Sequence, residues 1–236
     1  MRTLFPKSRE LVLALAVCLL SATFSATAQS SEVIDLKWNT LFGMGLPEQF
    51  VFLMNEDGTV YRATPDAPMA ALENPLYTMA AAEEFVFDPF QLSDNPLGPF
   101  EAGEPLGMTM RDYLAARGSG TYTLDGEMAT VDLSFDRLVP NGVYTLWCST
   151  LTIPPDFSIV DRPCGAEDGS ENLFFADEHG EMQVSMSFPA LDFPTETTRS
   201  VIALAWHSDG ETYGDHPGDF GAVTFVPLRA LLLPNN

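Results

Sequence analysis

Lysine is nearly missing from this chain. Lys7 and Lys37 are the only two, and lysine plus arginine number 11 against 33 acidic residues, for a formal charge of −22. A surface of that sign excludes nucleic acid and anionic membranes as partners, because both require clustered cations. It suits cations or basic partners, and equally a salty medium in which charge repulsion is screened within about 8 to 10 Å. Cysteine is also scarce: Cys18, Cys148 and Cys164 are all there is, and they form neither a C-x-x-C pair nor a zinc-type Cys/His spacing. There is no G-x-S-x-G elbow, H-E-x-x-H helix, phosphate-binding glycine loop or papain-like cysteine. Acyl transfer, zinc proteolysis and nucleotide chemistry therefore lack their residue sets. Carboxylates for glycoside hydrolysis are so abundant that no pair stands out. Long apolar runs are absent after residue 28, and helical periodicity is confined to one short stretch.

What is present begins with an export leader. Arg2, Lys7 and Arg9 form a basic start, Leu11 to Leu20 is an apolar run too short to span a bilayer, and Ala26-Thr27-Ala28 has the small-x-small form of a cleavage site. Cleavage is expected after Ala28. Val17 stands before Cys18 where lipid attachment wants a small residue, so the leader reads as a plain signal peptide. Export places Cys148 and Cys164 in an oxidising compartment, where a disulfide between them is the simplest reading and contributes about 3 kcal/mol in the chain-entropy model.

The rest, 29–236, reads as one all-β domain: an elaborated N-terminal part over 29–117 and a core over 118–236. Strands are expected at Val33 to Trp38, Phe50 to Met54 and Thr59 to Ala63, the last two joined by Asn55-Glu56-Asp57-Gly58. Prolines interrupt 65–105, a long irregular connection with only Glu84 to Phe87 strand-like. Its aromatic content argues for packing rather than disorder. Thr109 to Arg117 is the one helix, capped by Thr109 and stopped by Gly118. Thr121 to Leu124 and Ala129 to Phe135 flank Asp125-Gly126. Pro140-Asn141-Gly142 launches a strand from Val143 to Leu151, which Pro154-Pro155 ends. Leu173 to Ala176 and Met182 to Phe188 follow, then Val201 to Trp206, apolar on both faces and so interior, and Ala222 to Leu232. The architecture expected is an antiparallel β-sandwich with one short helix and a long irregular N-terminal connection.

Two loops concentrate the chemistry. Asp161 with Asp168-Gly169-Ser170-Glu171-Asn172 places oxygens at alternate positions around a glycine, as a calcium loop begins. The distal bidentate glutamate is missing, and the other reading is a solvated loop held by its disulfide. Trp206 to Gly221 holds two of the chain's three histidines. His207 and His216, with Asp209, Asp215 or Asp219 as a further ligand, suit copper, zinc or iron, and His179 in another turn completes a three-histidine set if the turns converge. The other reading is a glycine-shaped loop whose histidines are exposed or bonded to the aspartates.

The phrases GSGTYTLDG (118–126), LVPNGVYTLWCS (138–149), PCGAEDGSEN (163–172) and VIALAWHSDGETYGDHPGDFG (201–221) together resemble a group of uncharacterised secreted bacterial proteins. The resemblance spans about the C-terminal half and implies a secreted β-sandwich. In layout and glycine-rich loops the chain is loosely similar to copper/zinc superoxide dismutase and chordin-type repeats, but it has no H-x-H pair. The function expected is non-enzymatic binding of a cation, calcium first, or of an extracellular ligand. The alternatives are a histidine-site metalloenzyme and a structural envelope protein.

Overall fold

The computed structural model describes residues 32–45, 48, 51–67, 69–80, 97–152, 158–216 and 226–232. The leader, Glu84 to Phe87 and Asp219 lie outside them. Strand β1 (Glu32–Asn39) is followed by β2 (Phe52–Met54), β3 (Thr59–Arg62), β4 (Pro75–Met79) and β5 (Phe100–Thr109), then helix α1 (Met110–Ala115). The chain continues as β6 (Arg117–Asp125), β7 (Met128–Asp136), β8 (Val143–Thr152), β9 (Ser158–Pro163), β10 (Phe174–Phe175), β11 (Met182–Pro189), β12 (Thr198–His207) and β13 (Val226–Leu232).

Two sheets result, and every pairing in them is antiparallel. The larger has the order β10-β8-β12-β13-β1-β6-β7-β11, with β9 also on β8; the smaller is a closed barrel, β2-β3-β5-β4. The larger sheet folds over on itself: β10 reaches β11, and the Arg162 guanidinium donates to the Pro189 carbonyl at 3.3 Å. Its inner face is one core, in which Leu146, Ile202 and Leu204 from one half share a cluster with Val131, Leu133, Phe135 and Val184 from the other. This is the all-β antiparallel sandwich expected. Among the described residues no helix is long and apolar enough to cross a membrane.

The period-two patterns act as sequence implies. In β7, Val131, Leu133 and Phe135 are buried while Asp132, Ser134 and Asp136 are exposed. β12 is buried from Ser200 to His207, as an interior strand must be, and pairs with β8 on one side and β13 on the other. β1 departs from the division drawn at residue 117. It lies in the large sheet between β13 and β6, so 40–116, with the small barrel, is an insertion between two paired strands.

The irregular connection also differs from expectation. Residues 69–73 form a 3-10 turn, and β4 and the start of β5 are strands. Pro75, Gly103, Pro105 and Gly107 hide them from any propensity argument, and the β4–β5 register shifts twice around those residues.

The helix is shorter than the sequence suggests. It starts where expected, since the Thr109 hydroxyl accepts from the Asp112 N–H and Asp112 returns the bond to Thr109, a complete capping box. It ends at Ala115, and Ala116 is already extended at φ −56°, ψ 141°. Gly118 is therefore no helix stop but a β6 residue, and its role is space. Trp38 and Phe135 meet edge to face over it, with centroids 5.3 Å apart, and a Cβ at 118 would lie 2.6 Å from Trp38 Cε3 and 2.8 Å from Phe135 Cδ1. Gly118→Ala is expected to destabilise the fold by about 1 to 3 kcal/mol through overpacking. A urea midpoint unchanged from wild type would refute that account.

Candidate functional site

Cys148 on β8 and Cys164 just past β9 are joined by a disulfide, with Cα atoms 5.1 Å apart and a sequence separation of 16. The bond folds the acidic segment 164–176 back over β8. Its oxygens do not face a common point. Asp161 sits on β9 opposite Ser149, whose hydroxyl donates to it at 2.5 Å, and burial pushes its carboxyl pKa above the ordinary value. Asn172 is turned inward, its Oδ1 accepting from the Leu146 N–H at 2.6 Å. Asp168 closes a tight turn by accepting from the Ser170 N–H at 3.0 Å, and Glu171 accepts from the Ala166 N–H at 3.1 Å. Asp161, Asp168, Ser170 and Asn172 are thus each placed for local structure.

The histidines separate in the same way. His207 ends β12 and is only 2% exposed. The Thr145 hydroxyl accepts the Trp147 Nε1–H at 2.7 Å and also pairs with His207 Nε2, 2.7 Å away, so the imidazole is tied to the indole through one hydroxyl. Burial lowers the His207 pKa to about 4 against the opposing charge of Asp209, so the ring is neutral at pH 7. Tyr213 stacks on it and donates its hydroxyl to Asp209 at 2.6 Å. His216 and His179 are exposed; His216 pairs with Asp215 and His179 with Glu178. Among the described residues no three His, Cys, Asp or Glu side chains are grouped to hold a metal ion, so His179, His207 and His216 form no common site.

The two loops do meet. Gly169, at φ +75°, lies so close to Gly214 that a Cβ on it would be 2.1 Å from the Gly214 carbonyl oxygen. Only glycine accepts both that φ and that approach. Beside this contact Asp161, Arg162, Glu167, Phe188 and Asp215 line a cleft of about 290 Å³.

A larger space opens where the insertion meets the sandwich. It has a volume of about 500 Å³, with Leu106, Met108 and Tyr113 of β5 and α1 on one wall. The turn from Arg137 to Pro140 forms the other wall, and Tyr144, Leu204 and Trp206 make the floor. Hydrogen bonds fix both walls. The Tyr113 hydroxyl donates to the buried Glu48 carboxylate at 2.9 Å, and the Phe42 N–H donates to that same carboxylate at 3.0 Å. The Tyr144 hydroxyl accepts from the Val139 N–H at 2.7 Å, anchoring the turn, in which Arg137 and Asn141 both hold positive φ, 57° and 55°.

Trp206 ends the run that the sequence marks as an interior strand, and it and Tyr113 are both buried. That they border a hollow depends on α1, β8 and β12 lining one space, a long-range fact without a local pattern. Pro140-Asn141-Gly142 was the one visible signal, as a turn only. Comparison with family models, with curated proteins and with solved structures finds no match for this chain.

Proposed function

We propose that this is an exported, non-catalytic β-sandwich protein that binds a small, largely apolar extracellular ligand in the cavity between α1, the 137–140 turn and the floor of β8 and β12. The observation that carries the reading is the cavity itself. About 500 Å³, walled by apolar and aromatic side chains with two charged residues, Asp112 and Arg137, is the size and lining of a small-molecule site. The leader-like start of the sequence and the disulfide support export. The two acidic loops act in this reading as a staple for the outer face of β8.

The test is titration with a neutral fluorescent apolar probe, N-phenyl-1-naphthylamine. Ala115 lines the cavity from α1, and Ala115→Phe fills space there at little cost to the helix. Wild type is expected to bind the probe, and Ala115→Phe to bind it at least about tenfold more weakly, a loss of about 1.4 kcal/mol, while melting as wild type does. Equal binding by both proteins would place the ligand elsewhere. Thermal melts with EDTA and with calcium are expected to coincide, because the loop carboxylates serve local hydrogen bonds. A calcium-dependent rise in melting temperature would instead put a cation among Asp161, Glu167 and Asp215.

A further inference from the structure

The cavity has an uneven charge, and this points to its ligand. Of its two charged lining residues, Asp112 is committed to the helix cap: its Oδ2 accepts both the Thr109 N–H, at 3.0 Å, and the Thr109 hydroxyl, at 2.7 Å. Arg137 is committed to much less. Its ion pair among the described residues is with Asp136, 3.5 Å from Nε, and both side chains are more than half exposed, at 68% and 57%. An exposed pair at that distance holds a guanidinium weakly. The remaining N–H groups of the fork have the geometry for bidentate contact with a carboxylate or sulfonate.

The position of Arg137 adds to this. Its φ of 57° lies in the left-handed region that favours glycine or asparagine, and a residue held there is backed by its surroundings. The Tyr144 hydroxyl, bonded to the Val139 N–H, supplies that backing two residues on. Cations are few in this chain, 11 basic against 33 acidic residues, yet one of them is set beside this cavity. Tyr113, Tyr144 and Trp206 give the interior flat aromatic surface, which suits a ring-bearing body.

We infer that the cavity takes a ring-bearing organic anion, with its apolar body between α1 and the floor and its carboxylate or sulfonate on the Arg137 guanidinium. The inference rests on the cavity being the binding site. It deepens that reading by making Arg137 the specificity-determining residue.

Two probes that share one skeleton separate the claims. 8-Anilino-1-naphthalenesulfonate is N-phenyl-1-naphthylamine with a sulfonate added, so their affinity ratio reports the anion contact alone. Titrations at about 0.15 M salt, where the screening length is about 8 Å, keep the overall negative charge from dominating. The expected result is about tenfold tighter binding of the sulfonate, with the ratio falling to about one in Arg137→Gln and partly restored in Arg137→Lys. Ala115→Phe is expected to weaken both probes, locating them in the cavity. Equal affinities in wild type, or a ratio unmoved by Arg137→Gln, would overturn the anion assignment and leave the cavity reading standing. Binding of neither probe would overturn both.

Discussion

Replacing Cys148 and Cys164 together with alanine is expected to lower the unfolding free energy by about 3 kcal/mol, which the closure entropy of a loop with a separation of 16 residues implies. Both half-cystines are buried, Cys148 at 2% and Cys164 at 0% exposure, so small voids add to the loss. The effect reaches beyond the link. Without it, the segment that carries Asn172 to Leu146 loses its covalent tie to β8 and keeps its hydrogen bonds, among them the Cys164 N–H to the Leu146 carbonyl at 3.0 Å. Urea unfolding of the oxidised protein and the double variant measures the difference. A loss under about 1 kcal/mol would mean that those hydrogen bonds, and not the covalent bond, fix the loop.

Acidification is expected to destabilise the protein between pH 6.5 and about 4, chiefly through His207. Its unfolded value is 6.5, and burial holds the folded one near 4. Across that window the unfolded chain takes up a proton that the folded ring refuses, so stability falls as pH falls and levels off below about 4. A difference of this size corresponds to at most about 3 kcal/mol. Asp161 works in the opposite direction. Burial raises its pKa, so its penalty at neutral pH is relieved as it protonates, from its raised folded pKa down to 3.8. The expected profile is a wild-type urea midpoint that drops from pH 7 to 4.5 and a shallower drop in His207→Gln, with the opposing contribution absent in Asp161→Asn. An identical slope in wild type and His207→Gln would show that the ring is not the group responsible.

Local pattern revealed much of the fold. Asp125-Gly126 marked the β6–β7 turn, the alternation of Met182 to Phe188 marked a half-wet strand, and the unbroken apolar run from Val201 marked an interior one. Each is a property of a few neighbouring residues, and the disulfide matches the pairing of Cys148 with Cys164 that the sequence implies. Other features lay beyond any window of sequence. Gly118 reads as a helix stop beside Arg117, and only the packing of Trp38, some eighty residues earlier in the chain, shows it to be a strand residue. β5 is broken by Gly103, Pro105 and Gly107 and becomes a strand because β3 and β4 flank it. His207 and His216 look alike in sequence, yet one lies under Tyr213 and bonds to Thr145 while the other stands in solvent. Ligand-type residues at suggestive spacing were legible, but whether they face one point was not. The cavity left no trace because its walls come from the insertion, a turn and two distant strands.

The place of β13 in the large sheet sets the order in which the protein can complete itself. It is the strand that joins β12 to β1, and so the β10-β8-β12 half to the β1-β6-β7-β11 half. A chain emerging from a ribosome can form the β6–β7 hairpin early, since it is a local contact. The seam between the halves waits until β13 has emerged. Folding dominated by such distant pairings is slow. Until β13 arrives, β1 and β12 present unpaired edges, and a product interrupted before it would be prone to joining edge to edge with its neighbours.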